Sequence, residues 1–580
     1  MFSRLRLAPV LVSLVLGSLA PVSALWPIPQ HYTNGSSVLF LHQDVDITYN
    51  GVSVPFLAGY QPPSLTSRDM VVGAISRTLH NIFSASFVPW MLHARNASFE
   101  PGPNTAVTWI ESLEITQATA DGDTKTDESY NLTLSATGRG KLSAATTIGV
   151  LRGLETFSQL FYQHSNGTSW YTPYAPVAIR DAPKFSHRGL LLDVARSFYP
   201  VSTLLRVIDG LAYNKMNKFH IHATDSQAWP LVIASMPEVA QKGAYRPDYT
   251  YSPEDVQEMQ VYGAQRGVEV YFEIDMPGHI GSVAWSHPEL IVAFDGAPYY
   301  YWCAEPPCGA FKLNDSAVDD FLGRLFDDLL PRLAPYSAYF HMGGDELNAN
   351  DSAIDPGIGT NATAVLQPLL QKFIDTQHGR VRAHGLTPMT WEEIPLTWNV
   401  SIGKDTVVQT WLGASSVKTL TAAGTKIIDS DYNYWYLDCG RGEWLSFDNG
   451  LAYQKFWPFN DWCGPTKAWQ LIYSHDPAAD LTADEARNVL GGEVALWSEM
   501  VDAVNVDALL WPRSSAAGEV LWSGRTDAAG QNRSLLDATP RLNELRALLV
   551  ARGIGAAPVQ MTYCSQSNPA DCSFPVYGGV

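Results

Sequence analysis

Two adjacent carboxylates, Asp345 and Glu346, close the run Ala338-Tyr-Phe-His-Met-Gly-Gly-Asp-Glu-Leu347. The apolar and aromatic part reads as a buried parallel strand that stops at Gly343 and Gly344. Glycines at a strand end free the backbone from strict alternation, so both acids can face one cleft and do acid–base work there. The competing reading is a strand end followed by a solvated acidic turn. The two are separated by what the other strand ends carry.

From about Pro183 onward, short apolar runs alternate with helical patterns, the grammar of parallel βα units. The runs are Gly189 to Val194, Lys218 to His222, Val268 to Glu273, Ala338 to Met342, Pro388 to Trp391, Thr406 to Trp411, Lys426 to Asp429 and Gly492 to Trp497. Helices are predicted over about 202–214, 253–266, 316–333, 362–383 and 415–423. The second has Ser252 as cap, Pro253 in its first turn and Gly267 as its stop. Eight such units predict a (β/α)8 barrel within 183–580, the C-terminal segment included. A doubly wound sheet competes, but the Gly-rich phosphate fingerprint is absent. Residues 25–182 mix a strand at Tyr130 to Ser135 with an amphipathic helix from Ala144 to Phe161, which predicts a smaller, non-catalytic α/β domain.

A barrel builds its site from the C-terminal strand ends. Here these carry Asp193 and Arg196; His220, His222 and Asp225; Glu273, Asp275 and His279; Asp345 and Glu346; Trp391; Trp411; Asp429, Asp431, Trp435, Tyr436 and Asp438; and Trp497 and Glu499. Acids, one arginine and several tryptophans on one rim describe a pocket for a small polyhydroxylated ring, with aromatic walls and groups for hydroxyls.

Composition bounds the partner. A formal net charge of -20 and a pI near 5.1 argue against nucleic acid and anionic membrane surfaces. Residues 1–24 carry Arg4 and Arg6, an apolar run from Leu7 to Leu19, and Val22-Ser23-Ala24, which reads as a signal peptide. No later stretch reaches a membrane-spanning length. Sequons at Asn34, Asn96, Asn131, Asn166, Asn314, Asn350, Asn361, Asn399 and Asn532 fit a secreted glycoprotein, extracellular or at the cell wall. Six cysteines predict three disulfides there, and short separations favour Cys303–Cys308, Cys439–Cys463 and Cys564–Cys572. A zinc site is the alternative, but no Cys-x2-Cys pair exists.

Several motifs stand in order along the mature chain: Leu25-Trp-Pro-Ile-Pro29, Phe185-Ser-His-Arg-Gly189, Met276-Pro-Gly-His279, His341-Met-Gly-Gly-Asp-Glu346, Gly491-Gly-Glu-Val-Ala-Leu-Trp-Ser-Glu499 and Leu510-Trp-Pro-Arg513. In these the chain resembles the β-N-acetylhexosaminidases of glycoside hydrolase family 20. Two carboxyls on one strand end do not easily straddle a glycosidic bond at the separations of about 5 Å, or 6.5 to 9.5 Å, of the two-carboxylate mechanisms. The resemblance implies instead a substrate-assisted reaction on terminal N-acetylhexosamine of chitobiose, chitooligosaccharides or glycans, without a cofactor. It implies Glu346 as general acid and base, Asp345 as acceptor for the acetamido N–H, and Tyr436 as donor to the acetamido oxygen. It places Arg196, Asp438 and Glu499 on the sugar hydroxyls and Trp391, Trp411 and Trp497 around the acetamido group and ring. Asp225 and His279 would stand behind Glu346, and a homodimer is implied by eukaryotic relatives.

His220 and His222 share one strand face, an arrangement that holds metal in some barrels. Further histidine ligands would belong at strands five and six, where Trp391 and Trp411 stand, so the pair reads as structural. Glu493 reads as a buried paired carboxylate, and Arg188 as a partner for such an acid. The loop from Gly440 to Thr466 reads as a lid or a subunit contact. A carbohydrate-binding protein on an inactive barrel is the rival reading, against which intact Asp345, Glu346 and Tyr436 speak.

Overall fold

The computed structural model describes residues 25–119, 127–446, 450, 461–566 and 572. The proposed leader and most of the tip of the 440–466 loop lie outside them.

The N-terminal part is one mixed sheet whose strands run in the order 31–41, 170–181, 130–134, 139–144, 112–117, 46–49 and 52–53. Along Tyr130–Leu134 buried and exposed residues alternate strictly, as a sheet with one covered face requires. Helices Ser67–Ser84 and Thr147–Ser158 supply the cover, each capped by a threonine hydroxyl, from Thr66 and Thr146.

From His187 the chain forms a closed parallel barrel of eight strands. They are β1 (His187–Asp193), β2 (Lys218–Thr224), β3 (Glu269–Ile274), β4 (Tyr339–His341), β5 (Thr387–Trp391), β6 (Val407–Thr410), β7 (Lys426–Asp429) and β8 (Val489–Leu496), with β8 pairing back onto β1. Every residue of β1 is buried, because helices outside and side chains inside cover both faces. The main covering helices are α1 (Val201–Tyr213), α2 (Pro253–Ala264), α3 (Ser316–Leu333), α4 (Thr363–Ala383), α5 (Ala414–Ala422), α6 (Arg513–Ser523) and α7 (Leu535–Ala551). In α2 the expected cap is a full capping box, Ser252 and Asp255 each bonding the other's backbone.

The barrel interior is polar at mid-height. Glu493 accepts from His187 at 2.7 Å and from the Tyr271 hydroxyl, and lies 3.2 Å from His220, all of them buried. It is thus the buried, paired carboxylate the sequence indicates. Arg188 pairs with Glu128 of the N-terminal sheet region at 2.6 Å, not with Glu493. Arg152 reaches the same carboxylate at 2.7 Å, and these two arginines overcome burial to hold Glu128 at about 2. Lys215 and the Trp522 indole both bond Asp181, so a second buried cluster joins the sheet to the barrel. Three disulfides form with the expected pairing, Cys303–Cys308, Cys439–Cys463 and Cys564–Cys572. Among the described residues no helix is long and apolar enough to cross a membrane.

Candidate active site

The loop after β4 takes the conformation its glycines permit, with φ of +63° at Gly343 and +104° at Gly344. A Cβ on Gly343 would stand 1.8 Å from the Asp275 carboxylate oxygen, so the close approach also requires glycine. Glu346 itself sits at φ +52°, which turns its side chain to the same side as Asp345. Both acids line one cavity of about 420 Å³ at the C-terminal rim of the barrel.

That cavity also gathers Arg196, Asp225, His279, Trp411, Tyr436, Asp438, Trp497 and Glu499 from six other strand ends. Trp391 is the exception. It is buried behind the wall, 1% exposed, packed on Trp497 at 6.3 Å and donating its indole N–H to Glu273 at 2.8 Å. The reason is its place: as the last residue of β5 it still follows the inward direction of the strand, whereas Trp411 follows β6 and is free to reach the cavity.

The acids differ in their surroundings. Asp345 is flanked by Asp275, whose carboxyl burial and the Asp345 charge push well above its ordinary range. Asp275 therefore carries the proton and donates it to Asp345, while accepting the Gly344 N–H at 2.8 Å. Burial raises Asp345 as well, against the pull of His279 and that hydrogen bond, so Asp345 is the one of the pair that ionises more readily. Its Oδ1 is buried and has no hydrogen-bond partner among the described residues.

Glu346 is about one-third exposed and meets His279 at 3.3 Å. Behind His279 stands Asp225 at 3.2 Å, and behind Asp225 stands His222 at 2.9 Å. Burial disfavours charge on all three, but mutual attraction wins. Asp225 is held far below the usual carboxylate range by Arg196 and His279, His279 is raised well above the usual histidine range by Asp225, and Glu273 and Asp225 lift His222 to about 10. His279 is therefore an imidazolium facing Glu346.

Arg196 lies 3.4 Å from Asp193, 2.9 Å from Asp225 and 3.2 Å from Glu305, with its guanidinium 5.2 Å from the Trp497 ring centroid. The sequence marks Glu305 only by its place inside the Cys303–Cys308 loop. Burial and the neighbouring Glu305 raise Glu499 well above its usual range, and burial lifts Asp438 to about 7. Aromatic rings close the rest. Trp411 and Tyr436 lie nearly parallel with centroids 6.2 Å apart, and Trp462 meets Trp411 edge-on at 5.9 Å. Trp462 has no sequence signal as a wall residue, and Asp275, though placed at a strand end, has none as the partner of Asp345. The Trp497 indole hydrogen-bonds the Tyr436 phenol, which burial and Asp345 keep neutral far beyond pH 10.

Three sets of residues bring metal-ligand atoms within 4.8 Å of one another; in one of them, Asp438, Cys439 and Cys463, the cysteines are joined as a disulfide, which leaves two: His220, Glu273 and His341, and Asp275, His279 and Asp345. In the first, Glu273 lies 3.2 Å from His220 and 2.8 Å from His341; in the second, the acids bond each other and His279 bridges Asp225 and Glu346. Both sets are explained by those contacts without a cation.

A barrel whose rim holds a polyol-sized cavity with carboxyl groups at its floor and aromatic walls belongs among sugar-processing enzymes. Comparison with known proteins narrows this. Residues 185–525 match the model of the glycosyl hydrolase family 20 catalytic domain, and 25–160 match that of a β-acetyl hexosaminidase-like domain. A β-hexosaminidase of Arthroderma benhamiae is 38% identical, covering 95% of this chain and 97% of the relative. A chitooligosaccharidolytic β-N-acetylglucosaminidase of Bombyx mori is 32% identical, covering 76% of this chain and 74% of the relative. The solved structure of a Flavobacterium johnsoniae chitobiase superposes with a TM-score of 0.70 at 25% identity, over 92% of this chain and 73% of that one. The chain belongs to glycoside hydrolase family 20. It is a glycoside hydrolase of the β-hexosaminidase kind.

Proposed function

We propose that the enzyme removes terminal, non-reducing N-acetylglucosamine, and also N-acetylgalactosamine, from β-linked chains such as chitobiose and chitooligosaccharides, with retention and with the substrate's own acetamido group as nucleophile. The observation that carries the reading is the unequal pair: Asp345 is half-buried in the cavity wall and bonded by Asp275, while Glu346 is reachable from solvent and backed by an imidazolium.

In the first step the acetamido carbonyl oxygen bonds to the anomeric carbon as the bond to the leaving oxygen breaks, and Glu346 transfers its proton to that oxygen. His279, 3.3 Å away, stabilises the carboxylate so formed. Asp345 accepts the acetamido N–H and balances the positive oxazolinium ring, and neutral Tyr436 donates to the carbonyl oxygen and orients it. Glu346 then takes a proton from water, which attacks the anomeric carbon and opens the ring. Arg196, Asp438 and Glu499 bind the sugar hydroxyls, and Trp411 and Trp497 flank the acetamido group and ring.

Release of nitrophenol from the N-acetyl-β-glucosaminide and its virtual absence with the plain β-glucoside are expected; equal rates would overturn the reading. A leader over 1–24, an auxiliary domain over 25–182, a barrel unit over 183–580 and secretion are part of the same proposal. The apolar leader, the nine sequons and the three disulfides support it, since disulfides persist in oxidising compartments. Of the sequon asparagines, Asn34 and Asn350 are half-buried and the other seven exposed. The homodimer is proposed by analogy with eukaryotic relatives, and light scattering tests it.

A further inference from the structure

Glu393 opens a short helix, Glu393–Leu396, directly after β5. Its carboxyl is buried, 8% exposed, and forms no ion pair among the described residues. Oε1 accepts the indole N–H of Trp411 at 2.8 Å, and Oε2 is buried without a hydrogen-bond partner among the described residues. The titratable groups that face it are Asp345 from the loop after β4, Glu392 from its own element and Tyr436 from the loop after β7. Glu392 is occupied elsewhere, accepting from the Ser416 hydroxyl at 2.7 Å and the Trp411 backbone N–H at 3.0 Å.

We propose that Glu393 is a positioning residue of this site: as a neutral carboxylic acid it holds the Trp411 indole, and through the Trp411–Tyr436 stack the acetamido end of the cavity, without adding a charge beside Asp345. The inference rests on the substrate reading given above. Burial and then the Asp345 charge push Glu393 up to about 9, so below that pH it adds no charge beside Asp345. An ionised Glu393 would repel Asp345. An apolar residue there would leave the Trp411 N–H buried and unpaired, and the indole free to turn away from Tyr436.

The test compares Glu393→Gln, which keeps a neutral acceptor of the same shape, with Glu393→Leu, which keeps only volume. N-acetylglucosamine, which does not titrate, is bound to each full-length protein by calorimetry from pH 6 to 10, alongside kcat and KM on the nitrophenyl N-acetyl-β-glucosaminide and a thermal melt. The Gln variant is expected to bind within about threefold of wild type at pH 6, and the Leu variant about tenfold or more weakly, the loss of one buried hydrogen bond at a wall residue. Wild-type affinity should fall as pH passes about 9, and the Gln variant should lack that fall. Coincident pH profiles, or a folded Gln variant that binds as poorly as Leu or as poorly as a Trp411→Ala variant, would overturn the proposal. A wild type that neither binds N-acetylglucosamine nor cleaves the glycoside would overturn the substrate reading itself, and a working wild type with inert substitutions would overturn only the role of Glu393.

Discussion

Asp345→Asn keeps the size of the side chain and removes its charge. In the structure Asp345 receives the Asp275 proton on one side and lines the cavity on the other. An asparagine can offer its oxygen to only one of those two directions, and it is neutral in both. The fold should survive, because Asp275 can give up its proton and accept the new amide instead. The oxazolinium ring, however, loses its counter-charge and its N–H loses an anionic acceptor. Removing one preorganised polar group of this kind costs about 2.7–4 kcal/mol of transition-state stabilisation, or about 10²–10³ in kcat. Glu346→Gln removes the proton donor and costs about 10²–10⁴. The leaving group separates them. With a dinitrophenyl glycoside, whose oxygen departs without needing a proton, the Gln variant should recover most of its first-step rate and the Asn variant should not. Kinetics on the two aryl glycosides, with a melt to establish folding, decides it. An Asp345→Asn enzyme within tenfold of wild type, or one rescued by the better leaving group, would refute the role of Asp345.

Arg196→Ala should remove the guanidinium shared by three carboxylates, Asp193, Asp225 and Glu305, in a site where it is 6% exposed. A loss of about 3–5 kcal/mol in denaturant stability and a raised KM are expected, with Lys recovering part of the stability and little of the KM. Gly343→Ala should abolish activity or folding, because the methyl group meets Asp275 at 1.8 Å and φ is +63°. Gly424→Ala, at φ +81° with nothing within 4 Å, should stay active at a cost of about 1–2 kcal/mol. Glu544 in α7 is buried, accepts from the Tyr162 hydroxyl at 2.6 Å, and is raised by burial to about 8. An acid whose folded pKa lies above its unfolded one contributes stability that is full below about 4.5 and is lost as pH rises to about 8. Denaturant midpoints at pH 5 and 8 should show that decline in wild type and less of it in Glu544→Gln.

The barrel was legible because its strands are buried along most of their length and so read as apolar runs between helical segments; β1, buried throughout, and β8, buried at all but one residue, are the clearest. The short helices Pro237–Gly243, Ala349–Ile354 and Tyr432–Trp435 were not, since one or two turns set no periodicity. In the site, residues directly after strands came through: Arg196, Asp345, Glu346, Tyr436, Asp438 and Glu499 all line the cavity. Trp391 shows the limit of that rule, because one residue earlier on the strand puts the ring behind the wall. Asp275, Glu305 and Glu393 gain their meaning only from partners on other elements: Asp345 for Asp275, Arg196 for Glu305, and Asp345 with Trp411 for Glu393. Local sequence carries no trace of such pairings.

Progressive fluorination of the N-acyl methyl group, from acetyl to trifluoroacetyl, on one aryl β-glucosaminide tests the substrate-borne nucleophile most directly. Each fluorine withdraws electron density from the carbonyl oxygen and leaves the rest of the sugar unchanged. A steep, monotonic fall in kcat/KM across the series, with ring binding unchanged for non-hydrolysable analogues, is the expected result. A rate indifferent to fluorination would contradict attack by the acetamido oxygen and, with it, the roles of Asp345 and Tyr436.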